Sequence, residues 1–244
     1  MYNPNEITLN FQDALKLKDK FCHPTLRGHV TFRDEFGNII LEKDNLIVLR
    51  GRTFTLEKLF NDPISNQTSG YVSNLNRTIS LFKIGSGGAD IQSAPFQPYN
   101  PEYSDIDLAH PVPFVTLDPN KQADPDKAEN PSIIESMTDS DKSHYFLPIS
   151  KSNNIVEYYG KVFESNPQWV FNKETNEVYK KINLKIASNE ARGYIINELG
   201  LVLAEYDGTN GLYKDAELFS RVTFDSQSMT SLTKYILVEY LIFA

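Results

Sequence analysis

A chain of 244 residues, 40% of them hydrophobic, has enough material to bury roughly 70% of its unfolded surface without disulfides. Its one cysteine, Cys22, excludes an intrachain disulfide and any CxxC redox or zinc pair. A net charge of −8 argues against a broad basic footprint for nucleic acid, no apolar run reaches the roughly 18 residues of a membrane helix, and the opening MYNPNEITLNFQ lacks a signal-peptide profile.

Residues 1–24 are expected to form an N-terminal arm or helix. Phe11, Ala14, Leu15, Leu17 and Phe21 fall on one helical face, and Pro24 stops the run. Residues 25–244 then read as one β-rich domain with a proline-rich insertion at about 89–142. Thirteen tyrosines and fifteen phenylalanines suit strands better than long helices. Val30 and Phe32 alternate before the turn Asp34 to Asn38, where Gly37 supplies a positive φ. Ile39 to Glu42 returns, Asp44-Asn45 marks a second turn or bulge, and Leu46 to Leu49 forms a third apolar run. Leu56, Leu59 and Phe60 share one face of a short helix over 53–60, ended by Asn61-Asp62-Pro63. A polar loop spans 61–76. A strand over 77–84 follows and closes in Gly85-Ser86-Gly87-Gly88.

Nine of the thirteen prolines lie between Pro95 and Pro148, which disfavours regular helix or central strand there. Within this stretch 106–117 is the most apolar part and is expected to dock, whereas 118–142 is acidic. Strand patterning resumes at Phe146, with a long strand over 155–164 and a hairpin around Lys173 to Asn176. Three apolar strands close the chain, over 194–203, 217–224 and 233–243. The last is apolar on both faces, so it is expected to be locked inside a sheet or against a neighbouring subunit.

Motifs for chemistry are weak. The glycine loop at Gly85 follows a strand, but no Lys-Ser or Lys-Thr follows it and Pro95 blocks the helix that would hold a phosphate. The acidic run at Asp124 lacks the central glycine and twelfth-position glutamate of a calcium loop. His23, His29, His110 and His144 have no metal-ligand spacing, and Cys22 beside His23 does not by itself make a dyad. Carboxylates are plentiful, yet no pair is singled out for hydrolysis. We therefore expect no catalytic residue, metal or cofactor. Glu198 and Arg221 stand out because each interrupts an apolar run. Each either faces water or pairs with the other, across neighbouring strands or across a subunit boundary.

In order along the chain come Asn45, Val48, Gly51 and Arg52, then Ile84, Gly85 and Gly87. Glu198, Leu199, Gly200 and Leu201 follow, and lastly Phe219, Ser220 and Arg221. This succession resembles the N-x-x-V-x-x-G-R, (V/I)G-x-G, E-(I/L)-G-L and (L/F)-(A/S)-R segments of tailed-phage virion proteins, among them tail-collar fibre and baseplate or neck adaptor proteins. The proline-rich insertion after Asp90 departs from that pattern. No fibre shaft or receptor domain follows Ala244, so a complete tail fibre is not expected. The resemblance implies a structural adaptor that forms a homo-oligomeric ring, connects tail, baseplate, collar or neck proteins, and resides in the virion assembled in the bacterial cytoplasm. It implies no membrane contact and no direct nucleic-acid binding. An assembly role predicts that 89–142 or the termini lie on a neighbouring subunit. Two rivals remain: a carbohydrate- or receptor-binding sandwich using Trp169, Tyr158, Tyr159 and Tyr99, and a hydrolase with two facing acids. The fold expected in every case is mainly β: an antiparallel β-sandwich with one or two short helices and a long proline-rich extended arm.

Overall fold

The computed structural model describes residues 26–63, 73–90, 97–114, 150–152, 155–157, 159–191, 194–209, 211–229 and 235–243. The first strands and the helix are β1 (Arg27–Arg33), β2 (Ile39–Ile47), α1 (Leu49–Phe60) and β3 (Thr78–Gly85). Short strands β4 (Ala89–Asp90), β5 (Gln97–Pro98), β6 (Pro111–Val112), β7 (Ser150–Ser152), β8 (Ile155–Glu157) and β9 (Lys161–Val162) follow. The chain closes with β10 (Gln168–Asn172), β11 (Glu177–Ala187), β12 (Ile195–Asp207), β13 (Leu212–Ser228) and β14 (Tyr235–Phe243). The predicted N-terminal helix, Cys22, His23, the acidic run at Asp124, most of the insertion and His144 lie outside the described residues.

The main sheet runs β10-β11-β14-β1-β2-β13-β12-β3-β6, and its pairings are antiparallel apart from the Tyr213↔Ser150 bridge between β13 and β7. β2 is the corner. From Ile39 to Asn45 it pairs with β1, and at Leu46 and Ile47 it pairs with Arg221 and Ser220 of β13. The sheet folds back there, and its two halves share one apolar core. Ile182, Leu184, Ile186, Val238 and Tyr240 enter from one half, Leu199, Leu201, Val222 and Phe224 from the other. Each fully buried side chain of this kind stabilises by about 1.5–3 kcal/mol. This is the mainly β, sandwich-like fold that the alternation of apolar residues implied.

The first hairpin forms as read. Val30 and Phe32 are buried, Gly37 has φ 84°, and the Asp34 carboxylate accepts the backbone N–H groups of Phe36 and Asn38. β2 is not broken at Asp44-Asn45: Asp44 pairs with His29, and the Asn45 Nδ2 donates to Tyr240 while its Oδ1 is buried without a hydrogen-bond partner.

The helix begins at Leu49, four residues before the expected start. Val48 is its N-cap in extended geometry and gives no side-chain cap. The start is set from elsewhere in the fold: Val48 N–H donates to Phe219 O at 3.1 Å and Leu49 N–H to Tyr103 O at 2.9 Å. Its packed face is also not the one expected. Gly51, Phe54 and Glu57 are buried, whereas Leu56, Leu59 and Phe60 are exposed.

β14 lies between β11 and β1 of its own chain, so no neighbouring subunit is needed to complete it. Only Ile236, Val238, Tyr240 and Ile242 face the core. The opposite face, expected to be covered as an apolar surface, is instead tiled by long cationic side chains. Arg27 lies 4.3 Å from the Phe243 ring centroid, Lys185 lies 4.9 Å from that of Tyr235, and Lys181 pairs with Glu239. The insertion also packs at home over its described part: Leu108, Val112 and Phe114 are buried against the chain's own sheet. Ile106, read as part of the docking run, is exposed.

Candidate functional site

The polar centre of the molecule is Glu198 on β12. It sits one strand from Arg221 on β13, where Gly200 is the register partner of Arg221. Glu198 has no exposed surface. Its Oε2 accepts from Arg221 Nη2 at 2.6 Å, from Arg221 Nε at 3.0 Å and from the Ala109 N–H at 3.1 Å. Its Oε1 accepts from the Gly87 and His110 N–H groups, each at 3.0 Å. Five donors engage both oxygens, which supplies what a buried carboxylate requires. The pairing is thus across neighbouring strands, the first of the two arrangements the sequence allowed. Arg221 spends its third nitrogen on Asp105, Nη1 to Oδ2 at 2.9 Å. Burial works against the Arg221 charge, but Asp105 and Glu198 outweigh it and hold its pKa above the usual guanidinium value.

Around this pair the loop 99–110 is fastened at many points. Lys83 on β3 reaches both Asp107 oxygens at 2.8 and 2.9 Å. Ser86 N–H donates to His110 O, Tyr99 N–H to Gly88 O, and Thr223 Oγ1 to Tyr99 O. Gly88 N–H donates to Asn197 Oδ1 at 2.6 Å. The glycines are what allow so close an approach. A Cβ on Gly85 would lie 2.4 Å from Glu198 Oε1, and one on Gly87 would lie 2.7 Å from Ala109 Cβ. A Cβ on Gly200 would lie 2.6 Å from a Leu218 methyl. The Gly85 turn is thus a close-packed strand end, whose N–H groups serve the protein itself: Ser86 the His110 carbonyl, Gly87 the Glu198 carboxylate and Gly88 the Asn197 amide.

Asn45, Gly51 and Arg52 belong to an adjoining cluster. Asn45 Nδ2 donates to Tyr240 OH, which lies 2.5 Å from Ser220 Oγ. Burial raises the Tyr240 pKa above the ordinary phenol range, although its bonds to Ser220 and Asn45 act the other way. Gly51 abuts Phe219, where a Cβ would come within 2.3 Å of the Phe219 carbonyl oxygen. Arg52 Nε donates to Ile47 O at 3.0 Å, and its guanidinium lies 5.1 Å from the Tyr103 ring centroid.

Residues of all four motif segments therefore meet around three consecutive residues of β13, with Arg52 beside them on the Ile47 carbonyl and the Tyr103 ring. Phe219 receives Gly51 and Val48. Ser220 receives Tyr240 and through it Asn45. Arg221 receives Glu198, which in turn holds Gly87. Sequence reasoning missed the loop residues Asp105 and Asp107; their only local signal is an acid on either side of Ile106 in an apolar run.

The aromatic candidates do not gather. Trp169 is exposed on β10 beside Phe171, and Tyr99 is exposed over β4. Tyr159 is half-buried, and Tyr158 lies outside the described residues. A cleft lined by Phe32, Ile40, Leu41, Phe224, Asp225 and Gln227 holds about 30 Å³, the space of one water, against the roughly 300 Å³ or more of a ligand pocket. Among the described residues no three His, Cys, Asp or Glu side chains gather to hold a metal. No described helix is long and apolar enough to cross a membrane. Comparison with family models, with curated proteins and with solved structures finds no match to this chain.

Proposed function

We propose that this chain is a structural component of a tailed-phage particle, an adaptor of the tail, baseplate, collar or neck that assembles with copies of itself into a ring. The observation that carries the proposal is the convergence on Phe219, Ser220 and Arg221. Four short segments, weak one by one as a resemblance, each contribute residues to one connected network. That network fastens the 99–110 loop to the sandwich, as a part placed by its neighbours requires. The described part of the insertion is used on the chain's own sheet. Among the described residues, contacts to neighbours fall to the exposed apolar surfaces, such as Leu56, Leu59 and Phe60 on α1 and Phe36 at the hairpin tip. Ring subunits use two different surfaces that meet head to tail.

The test is mass spectrometry of purified virions together with the native mass of the isolated protein. The expected result is the protein in the particle at a fixed copy number, as a ring that closes on assembly, so that the isolated protein is smaller than the ring. A protomer absent from particles and turning over a substrate overturns the proposal. The second reading, a glycan- or receptor-binding sandwich, rests on Trp169, which is 60% exposed with Lys180 4.4 Å from its ring centroid. A glycan array without a binder removes it.

A further inference from the structure

The two ends of the sheet are treated differently. At one end β3 is covered along its outer side by β6 and β9, two-residue strands of which the first contains Pro111, a residue that cannot extend a ladder. At the other end β10 pairs with β11 and has no second partner among the described residues. Soluble proteins blunt such an edge with charge, proline or a bulge. β10, Gln168-Trp169-Val170-Phe171-Asn172, contains no charge and no proline, and its ladder with β11 is regular. Trp169 and Phe171 project from one face, 60% and 68% exposed, with their rings stacked at 6.3 Å. Their register partners Lys180 and Val178 lie on the core side of β11, so the two rings sit on the core face where it runs past the opposing half.

We infer that β10 is a self-pairing edge, and that its occupant is β10 of a second copy of this chain, antiparallel about Val170. The strand is self-complementary in that register alone. Trp169 falls opposite Phe171 of the partner subunit, Gln168 opposite Asn172 of the partner subunit, and Val170 on the two-fold axis. The four aromatic rings then form two cross-strand pairs in one patch on one face, the arrangement in which such pairs stabilise a ladder. A chain of net charge −8 repels its copies, and this edge, whose strand has no acid and which has the Lys180 cation over Trp169 as a neighbouring charge, is a place where they can meet closely. A head-to-tail pairing of sheet edges is unavailable, because the β3 edge is occupied. At about 200 Å² per large aromatic side chain, the exposed parts of four rings give roughly 500 Å². That is below the ~1,000 Å² of a stable interface, so the dimer is weak and dissociates on dilution.

Trp169 is the only tryptophan, so its emission reports this edge alone. The experiment is sedimentation equilibrium and tryptophan emission of the full chain from about 1 μM to about 1 mM, a range spanning weak dissociation constants. The expected result is a monomer–dimer equilibrium whose midpoint coincides with a blue shift of the emission. Two double variants complete the test: Trp169→Lys with Phe171→Lys, and Trp169→Glu with Phe171→Glu. Each alone associates at least tenfold more weakly, and an equimolar mixture of the two dimerises again, because Lys and Glu now face each other across the axis. Near-ultraviolet circular dichroism establishes that each is folded, and the wild-type emission curve decides the question if either is not. A monomer throughout the range overturns the inference. So does emission that is blue at every concentration, which means that the chain's own segments cover the edge. Larger oligomers with red, concentration-independent emission also overturn it, and would leave the ring proposal standing.

Discussion

At the scale of single residues, the molecule places one buried acid where five donors converge and then removes every side chain that would keep them apart. Glu198 has no solvent to fall back on, so its partners are its only hydration. The variant Glu198→Ala strands the Arg221 charge with Asp105 alone, and breaking a buried pair from one side costs about 3–5 kcal/mol. Urea denaturation is expected to show that loss, with faster proteolysis of the 99–110 loop, whose Ala109 and His110 N–H groups lose their acceptor. A loss under about 1 kcal/mol, the size of an exposed pair, would mean that the carboxylate is not the fastener. Gly51 gives a test of opposite sign to intuition. In a helix interior Gly→Ala ordinarily stabilises by about 1 kcal/mol. Here the new methyl meets the Phe219 carbonyl oxygen at 2.3 Å, a backbone atom fixed by β13 pairing. Gly51→Ala is therefore expected to destabilise by about 1–3 kcal/mol, the range of overpacked sites. A gain in thermal stability would refute the close approach.

At the scale of elements, the β1–β2 hairpin carries a histidine held between two carboxylates, and with it a pH dependence. His29 Nδ1 lies 2.8 Å from Asp44 Oδ1, and Nε2 lies 3.2 Å from Glu42 Oε1. Burial lowers the His29 pKa, but the two carboxylates outweigh it and leave it above 6.5. A raised folded value means that the folded state holds the proton more tightly than the unfolded chain. The stabilisation is complete below the unfolded value and is lost as pH rises through the folded one. Both carboxylates are largely exposed, so screening limits the effect to under about 1 kcal/mol. His29→Gln is expected to lower stability at about pH 5.5 and to change it little at about pH 8.5, well above the histidine range. Equal losses at both would assign His29 a packing role only. This hairpin was legible in the sequence because its turn is locally coded by Asp34 and Gly37. The start of α1 was not, because the acceptors that set it belong to Phe219 and Tyr103, far along the chain. The break read at Asp44-Asn45 failed for the same reason. Turn-forming residues stay in a strand when partners as distant as His29 and Tyr240 bond to them.

At the scale of the whole molecule, the strand order makes the end of the chain a structural centre. β14 bonds to β1 from Arg33↔Leu237 to Arg27↔Phe243, and to β11 from Ala187↔Tyr235 to Tyr179↔Phe243. The sequence showed that this segment is apolar on both faces, and that was enough to say it is paired. It was not enough to say with what, because cation stems over Phe243 and Tyr235 cover an outer face as well as another polypeptide does. Chain termini usually tolerate trimming because they fray. Here removal of residues 235–244 separates β10 and β11 from the rest of the first half, and takes Ile236, Val238, Tyr240 and Ile242 out of the core. It also releases Asn45 and Ser220 from their shared partner, and so reaches the corner where the two halves join. The truncated chain is expected to lose cooperative thermal unfolding altogether and to lose its near-ultraviolet circular dichroism, rather than to melt a few degrees lower. A sharp transition retained in the truncated protein would mean that β14 is an accessory strand and that the sandwich closes without it.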